Sequence, residues 1–135
     1  MTQYLTDPPP AVDALADMVD ACASWAGDIY YPTAPDTAAG TFAVLNPEDE
    51  TRNRYSEGAT PIPSGSLLLT IHSGVTIGAL ETQAQAVQKE LLAKTTGLLL
   101  RSASVGRCSV AGPAVRAGGE TRLVVDIVIQ YGLNS

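Results

Sequence analysis

Apolar and polar positions alternate most regularly near the end of the chain, in "TRLVVDIVIQYGLNS". Taking every second residue, Leu123, Val125, Ile127, Ile129 and Tyr131 fall on one face. Arg122, Val124, Asp126, Val128 and Gln130 fall on the other. Side chains alternate across a strand, so the first set predicts a core-facing surface and the second a surface for water or a neighbouring subunit. Earlier the period is helical. From Ala11 to Ala26 the apolar positions Val12, Leu15, Ala16, Val19, Cys22, Ala23 and Ala26 recur at three- and four-residue spacing. Asp13, Asp17 and Asp20 fall between them, largely where a helix dipole favours acids. "TDPPP" ahead of this helix offers Thr6 or Asp7 as a cap and a proline for the first turn, and Gly27 offers a stop. A second amphipathic helix runs from Leu80, with Ala84, Val87, Leu91 and Leu92 on its apolar stripe, and Gly97 ends it.

The intervening segments read as β-structure. "DIYYPTAPDTAAG" is a short extended segment broken by Pro32 and Pro35, and "TFAVLN", Thr41 to Asn46, is a strand. "SLLLTIHS" is a strand predicted to pair antiparallel with it. A strand near Cys108–Val115 is expected to pair with the last strand through "AGGE", where Gly118 and Gly119 supply turn freedom. Between the first two strands lies "PEDETRNRYSEGATPIPSGS", a polar arm at about residues 46–66 with three prolines and no core pattern. Such a tract inside a compact domain is usually functional or disordered. The order helix, strands, helix, strands predicts an α+β fold: a mainly antiparallel or mixed β-sheet with two helices packed on one face, and the last strand inside the sheet.

Length and composition bound this picture. At 135 residues the chain reads as a single domain, 1–135, large enough to bury most of its unfolded surface. Aromatic residues make up only 5%, so the core must rest on Leu, Val, Ile and Ala. No run is long and apolar enough to span a bilayer and no signal-peptide pattern opens the chain, so a protein made and used in the cytoplasm, or in something assembled there, is expected. Cys22 and Cys108 lie far apart without metal-type spacing and read as small buried hydrophobes ahead of a disulfide or zinc site.

Charge changes the picture more. The first 60 residues hold ten acids and two bases, and the remainder four acids and six bases, for a net charge of −6. An acidic protein repels nucleic-acid phosphates, which argues against sequence-independent DNA binding. The asymmetry has two readings: solvated acidic helix and loop faces, or oppositely charged surfaces that meet between copies or partners.

Catalytic equipment does not assemble from the sequence. His72 stands without a nucleophile partner or a ligand set and reads as structural or incidental. "GVTIGAL" lacks the phosphate-loop lysine and the dinucleotide spacing, and reads as a loop that lets Gly78 enter a helix. Glu48, Asp49 and Glu50 lack a calcium-loop pattern and read as a solvated loop tip. Arg52, Arg54 and Tyr55 are residue types favoured at interfaces, and an exposed polar hairpin arm and a contact role stand side by side for them. Together these six residues form the candidate assembly interface. No catalytic, cofactor-binding or metal-binding residue is assigned, and a structural protein rather than an enzyme is expected.

The helix "AVDALADMVDACASWA", the "IYYP" segment, "GSLLLTIHSG" leading into "ALETQAQAVQKELLA", and the closing "TRLVVDIVIQYGL" together resemble the tail terminator proteins of long-tailed bacteriophages, also called minor tail or tail completion proteins. The likeness is one of pattern over nearly the whole chain. It implies a homo-oligomeric, hexameric ring that caps the finished tail tube, stops polymerisation of the major tail tube protein and presents a face to the head–tail connector proteins. Viral DNA would pass through the lumen without specific binding, and the acidic first half is compatible with such a wall. The implied location is the tail–neck region of the virion, assembled in the host cytoplasm and without a membrane. A neck or head-completion connector of the same kind of virion is the alternative, and a small-molecule binding domain or enzyme a third.

Overall fold

The computed structural model describes residues 2–35, 38, 40–51, 64–74, 76–94, 98, 100–110 and 122–132, with residues 48–51 and 64 described by their backbone alone. In chain order the elements are β1 (Thr2–Tyr4), α1 (Pro10–Asp20), β2 (Asp28–Tyr31), β3 (Phe42–Thr51), β4 (Ser64–Ser73), α2 (Ile77–Ala93), β5 (Leu100–Val105), β6 (Ser109–Val110) and β7 (Leu123–Tyr131). The strands form one seven-stranded sheet in the order β1-β2-β3-β4-β7-β5, with β6 also beside β7. β1–β2 and β2–β3 are parallel and the other pairs antiparallel, so the sheet is mixed and the fold is α+β.

The period-2 pattern sets the layers. Ala43 and Leu45 of β3, Leu67, Leu69 and Ile71 of β4, and Val125, Ile127, Ile129 and Tyr131 of β7 all face one core. The stripes of both helices close it: Val12, Leu15 and Val19 from α1, and Leu80, Ala84, Val87 and Leu91 from α2. Both helices therefore cover one face of the sheet. Each large aliphatic side chain taken from water here contributes about 1.5–3 kcal/mol. β7 lies between β4 and β5, and Leu69↔Ile127 and Ile71↔Val125 fix its register. The opposite face has a smaller cluster, Tyr30, Ala38, Phe42 and Val44, under the segment after β2.

Several boundaries differ from the sequence reading, each for a local reason. α1 starts on Pro10 after Pro9 with no side-chain cap, so neither Thr6 nor Asp7 caps it. It ends at Asp20, not Ala26. Beyond it the chain tightens into turns, Cys22 N–H to Val19 O at 3.0 Å and Trp25 N–H to Cys22 O at 3.2 Å, which tuck Trp25 into the core. The apolar period ran on because turn residues are buried as well. Gly27 serves close approach instead of a helix stop: a Cβ there would collide with the Thr41 carbonyl oxygen and lie 2.9 Å from Trp25 Cζ2. α2 begins three residues ahead of Leu80, where Thr76 Oγ1 accepts the Ala79 N–H at 3.4 Å. It ends at Ala93 with Lys94 already extended, before Gly97, which lies outside the described residues.

β3 runs five residues past Asn46 to Thr51, and β4 starts at Ser64, so both flanks of the polar arm are paired strand. The "DIYY" segment is a sheet strand, and β1 and β5 are strands that the periodicity did not reveal. The strand expected near Cys108–Val115 is present as β6, paired with Leu123 and Val124; residues 111–121 lie outside the described residues.

Candidate functional site

The hairpin of β3 and β4 positions the part of the polar arm that is described. Its ladder runs from Phe42↔His72 to Thr51↔Ser64, with a register shift between Pro47 and Asp49. Glu48 is thus the unpaired bulge residue, while Asp49 and Glu50 sit opposite Ser66 and Gly65. The three acids expected at a loop tip therefore belong to the strand, on the outer part of β3 where no neighbour beyond β4 pairs with it among the described residues. Arg52, Arg54 and Tyr55 lie outside the described residues.

On the face turned away from the helices, β3, β4 and β7 present Asn46, Leu68, Thr70, Val124, Asp126 and Val128, all half-buried. Thr70 Oγ1 donates to Asp126 Oδ1 at 2.7 Å across the β4–β7 pair. Beside them a hollow of about 380 Å³ is lined by Pro32, Thr33, Ala34, Val44, Asn46, Thr70 and His72. His72 is buried, its ring stacked on Phe42 with centroids 4.8 Å apart, and its Nδ1 has no hydrogen-bond partner among the described residues. Burial, and then the positive charge of Arg122, hold its pKa below the ordinary value, against the opposing pull of Asp126. The imidazole at this wall is neutral at pH 7, a packing group more than a charged one.

Arg122, expected on the open face, is buried at 5% exposure because its side chain reaches back across the sheet. Its guanidinium donates to Gly40 O at 2.6 Å and lies 5.3 Å from the Phe42 ring centroid. A strand-register argument places a Cβ and not the end of a six-atom side chain, so this burial had no sequence signal.

At the other end of the sheet α1 lies over β1. Tyr4 Oη donates to Asp13 Oδ1 at 2.7 Å, and the Thr2 hydroxyl donates to Asp20. Burial, the Asp13 hydrogen bond and the charges of Asp13, Asp17 and Asp20 hold the Tyr4 phenol far above its usual value. Next to them a hollow of about 430 Å³ lies between α1 and Lys94. Across the helix layer, the Glu90 carboxylate accepts Ala23 N–H at 3.2 Å, Ser24 N–H at 3.0 Å and the Ser24 hydroxyl, tying α2 to the turn after α1.

Both cysteines are free thiols; Cys22 is buried, whereas Cys108, expected to be buried as well, is half-buried. Among the described residues no three His, Cys, Asp or Glu side chains converge as a metal site, and no helix is long and apolar enough to cross a membrane. Comparison with protein families finds no model that matches the chain, and comparison with curated proteins finds no match.

Proposed function

We propose that this chain is a structural virion protein of a long-tailed bacteriophage, which assembles with copies of itself into a ring on the end of the completed tail tube. In that role it stops addition of the major tail tube protein and offers the surface to which the head–tail connector joins. The sequence resemblance raises the proposal. The observation that carries it is the β3–β4 hairpin, ten residues per strand, whose base is built into the middle of the helix-backed sheet. A hairpin rooted in this way transmits a load from the polar arm directly to the core, as a contact arm in an assembly requires. The half-buried Leu68, Val124 and Val128 on the open face add apolar surface for a neighbour. No role as an enzyme is assigned.

Electron microscopy of tails made without this protein tests the reading. Overlong, unterminated tubes are the expected result. Tails of normal length that fail to join filled heads would move the protein to the neck, as a head-completion connector. Normal infectious particles would remove it from the virion altogether.

A further inference from the structure

The sheet is open, and its two ends are built as opposites. At one end β1 exposes its outer edge, and at the other β5 and β6 expose theirs; among the described residues no strand pairs with either. An unpaired edge is a template for another chain unless something blunts it. The described large apolar side chains that remain exposed are Tyr4, Leu5, Ile77, Leu92 and Val110. All of them lie at these two ends. Tyr4 and Leu5 are on and just after β1. Val110 is in β6, and the Cys108 thiol reaches Ile77 O at 3.9 Å, which puts Ile77 beside it. Leu92 lies one helical turn beyond Gln88, whose amide donates to Ala103 O of β5.

Charge divides the same way. Around Tyr4 stand the exposed Asp13, Asp17 and Asp20 of α1, whereas the exposed Arg101 and Arg107 lie along the β5–β6 edge. Lys94 near α1 and Glu81 near Cys108 each reduce this contrast without reversing it.

We infer that the acidic β1–α1 end of one copy binds the basic β5–β6 end of the next. This inference deepens the ring reading and names its two surfaces. The directions agree. β1 runs parallel to β3, β3 runs antiparallel to β4, and two further antiparallel steps through β7 reach β5, which therefore runs opposite to β1. Copies placed head to tail with their sheets in one orientation bring β1 and β5 together antiparallel, the arrangement that pairs most readily. Two different surfaces in contact make a heterologous interface, which closes into a ring or propagates, unlike a two-fold dimer.

A charge-swap experiment on the purified protein tests it. One variant carries Asp13→Lys and Asp17→Lys, making both ends basic; the other carries Arg101→Glu and Arg107→Glu, making both ends acidic. Sedimentation at low salt should show the wild type associating, and each variant alone associating about tenfold or more weakly, since like charges then face each other. An equimolar mixture should recover assembly, with the two variants alternating. Because recovery requires both to be folded, it separates lost contact from lost structure. Val110→Asp, on an exposed position of β6, repeats the loss without altering Arg101. Wild-type protein that stays monomeric, variants that associate like the wild type, or folded variants that fail to rescue each other would each overturn the inference. Rings that form regardless of these charges would leave the ring reading standing, whereas normal tails made without the protein would remove the tail role and leave the edge pairing intact.

Discussion

At the scale of single residues, two ionisable groups make this protein sensitive to acid. Glu90 accepts the Ser24 hydroxyl and two backbone N–H groups, and these bonds hold its carboxyl below its ordinary value of 4.5. His72, buried against Phe42 and near Arg122, is held below its ordinary value of 6.5. In both cases the unfolded chain takes up a proton at a higher pH than the folded one. Their contributions are complete above the unfolded values and are lost as pH falls. Stability should therefore decline first below about pH 6.5, through His72, and again below about pH 4.5, through Glu90. Thermal melts of His72→Phe should match or exceed wild type at pH 7, because a buried nitrogen without a partner is removed and the stacked shape is kept. The same melts should lose the first decline; its persistence would acquit His72. Glu90→Gln should flatten the second decline and cost little at neutral pH, since the carboxylate is exposed and screened. His72 was visible in the sequence as a lone histidine at a strand end, but its neighbours were not. Glu90 gave no signal, because its partners lie 66 and 67 residues away and only tertiary packing joins them.

At the scale of elements, β7 gives the sharpest test of register. Ile127 is fully buried between Leu69 and Val105, whereas Asp126 faces the open side and accepts from Thr70. Ile127→Asp should cost about 3–5 kcal/mol, a large part of the roughly 5–15 kcal/mol that holds a domain together. Asp126→Asn keeps an oxygen to accept from Thr70 and should cost less than about 1 kcal/mol. Chemical denaturation of the two variants compares them directly, and the opposite ranking would place β7 one residue out of register. This strand, β4 and the two helices were legible because one apolar face is wholly buried, so selection for the core writes a period into the sequence. β1 and β5 were not. β1 has three residues, too few to show a period, and β5 reads Leu-Arg-Ser-Ala-Ser-Val, where small polar side chains suffice at an edge. The end of α1 was misplaced for a related reason: Cys22 and Trp25 are buried by turns, and burial without helix continues the apolar spacing.

At the scale of the whole molecule, the sheet, its helices and the β3–β4 hairpin divide the labour between stability and contact. The main core lies between the helix layer and one sheet face, with a smaller cluster on the other, and the arm's sequence carries no core pattern. Stability and assembly should therefore separate on mutation. The triple variant Arg52→Ala, Arg54→Ala and Tyr55→Ala removes the interface-type side chains of the arm while leaving the paired base, Phe42–Thr51 and Ser64–Ser73, untouched. Exposed charge pairs are worth about 0–1 kcal/mol each, so its melting temperature should stay near that of the wild type. Arginine and tyrosine anchors desolvated at the centre of an interface contribute about 2 kcal/mol or more each, so ring formation or tail capping should weaken by roughly tenfold or more. The acids at the base sharpen the expectation. Glu48 is the bulge residue, Asp49 and Glu50 follow it in the strand, and Arg52 and Arg54 come next in the sequence. A neighbour engaging the arm meets both signs within a few residues, and salt should weaken its binding more than it weakens the fold. Two measurements on the triple variant decide the matter: its melting temperature, and the length distribution of tails assembled in its presence. Unchanged melting with tails of irregular length places the arm in assembly; uniform tails and full infectivity would take the arm out of the function and leave the sheet ends as the surfaces through which copies meet.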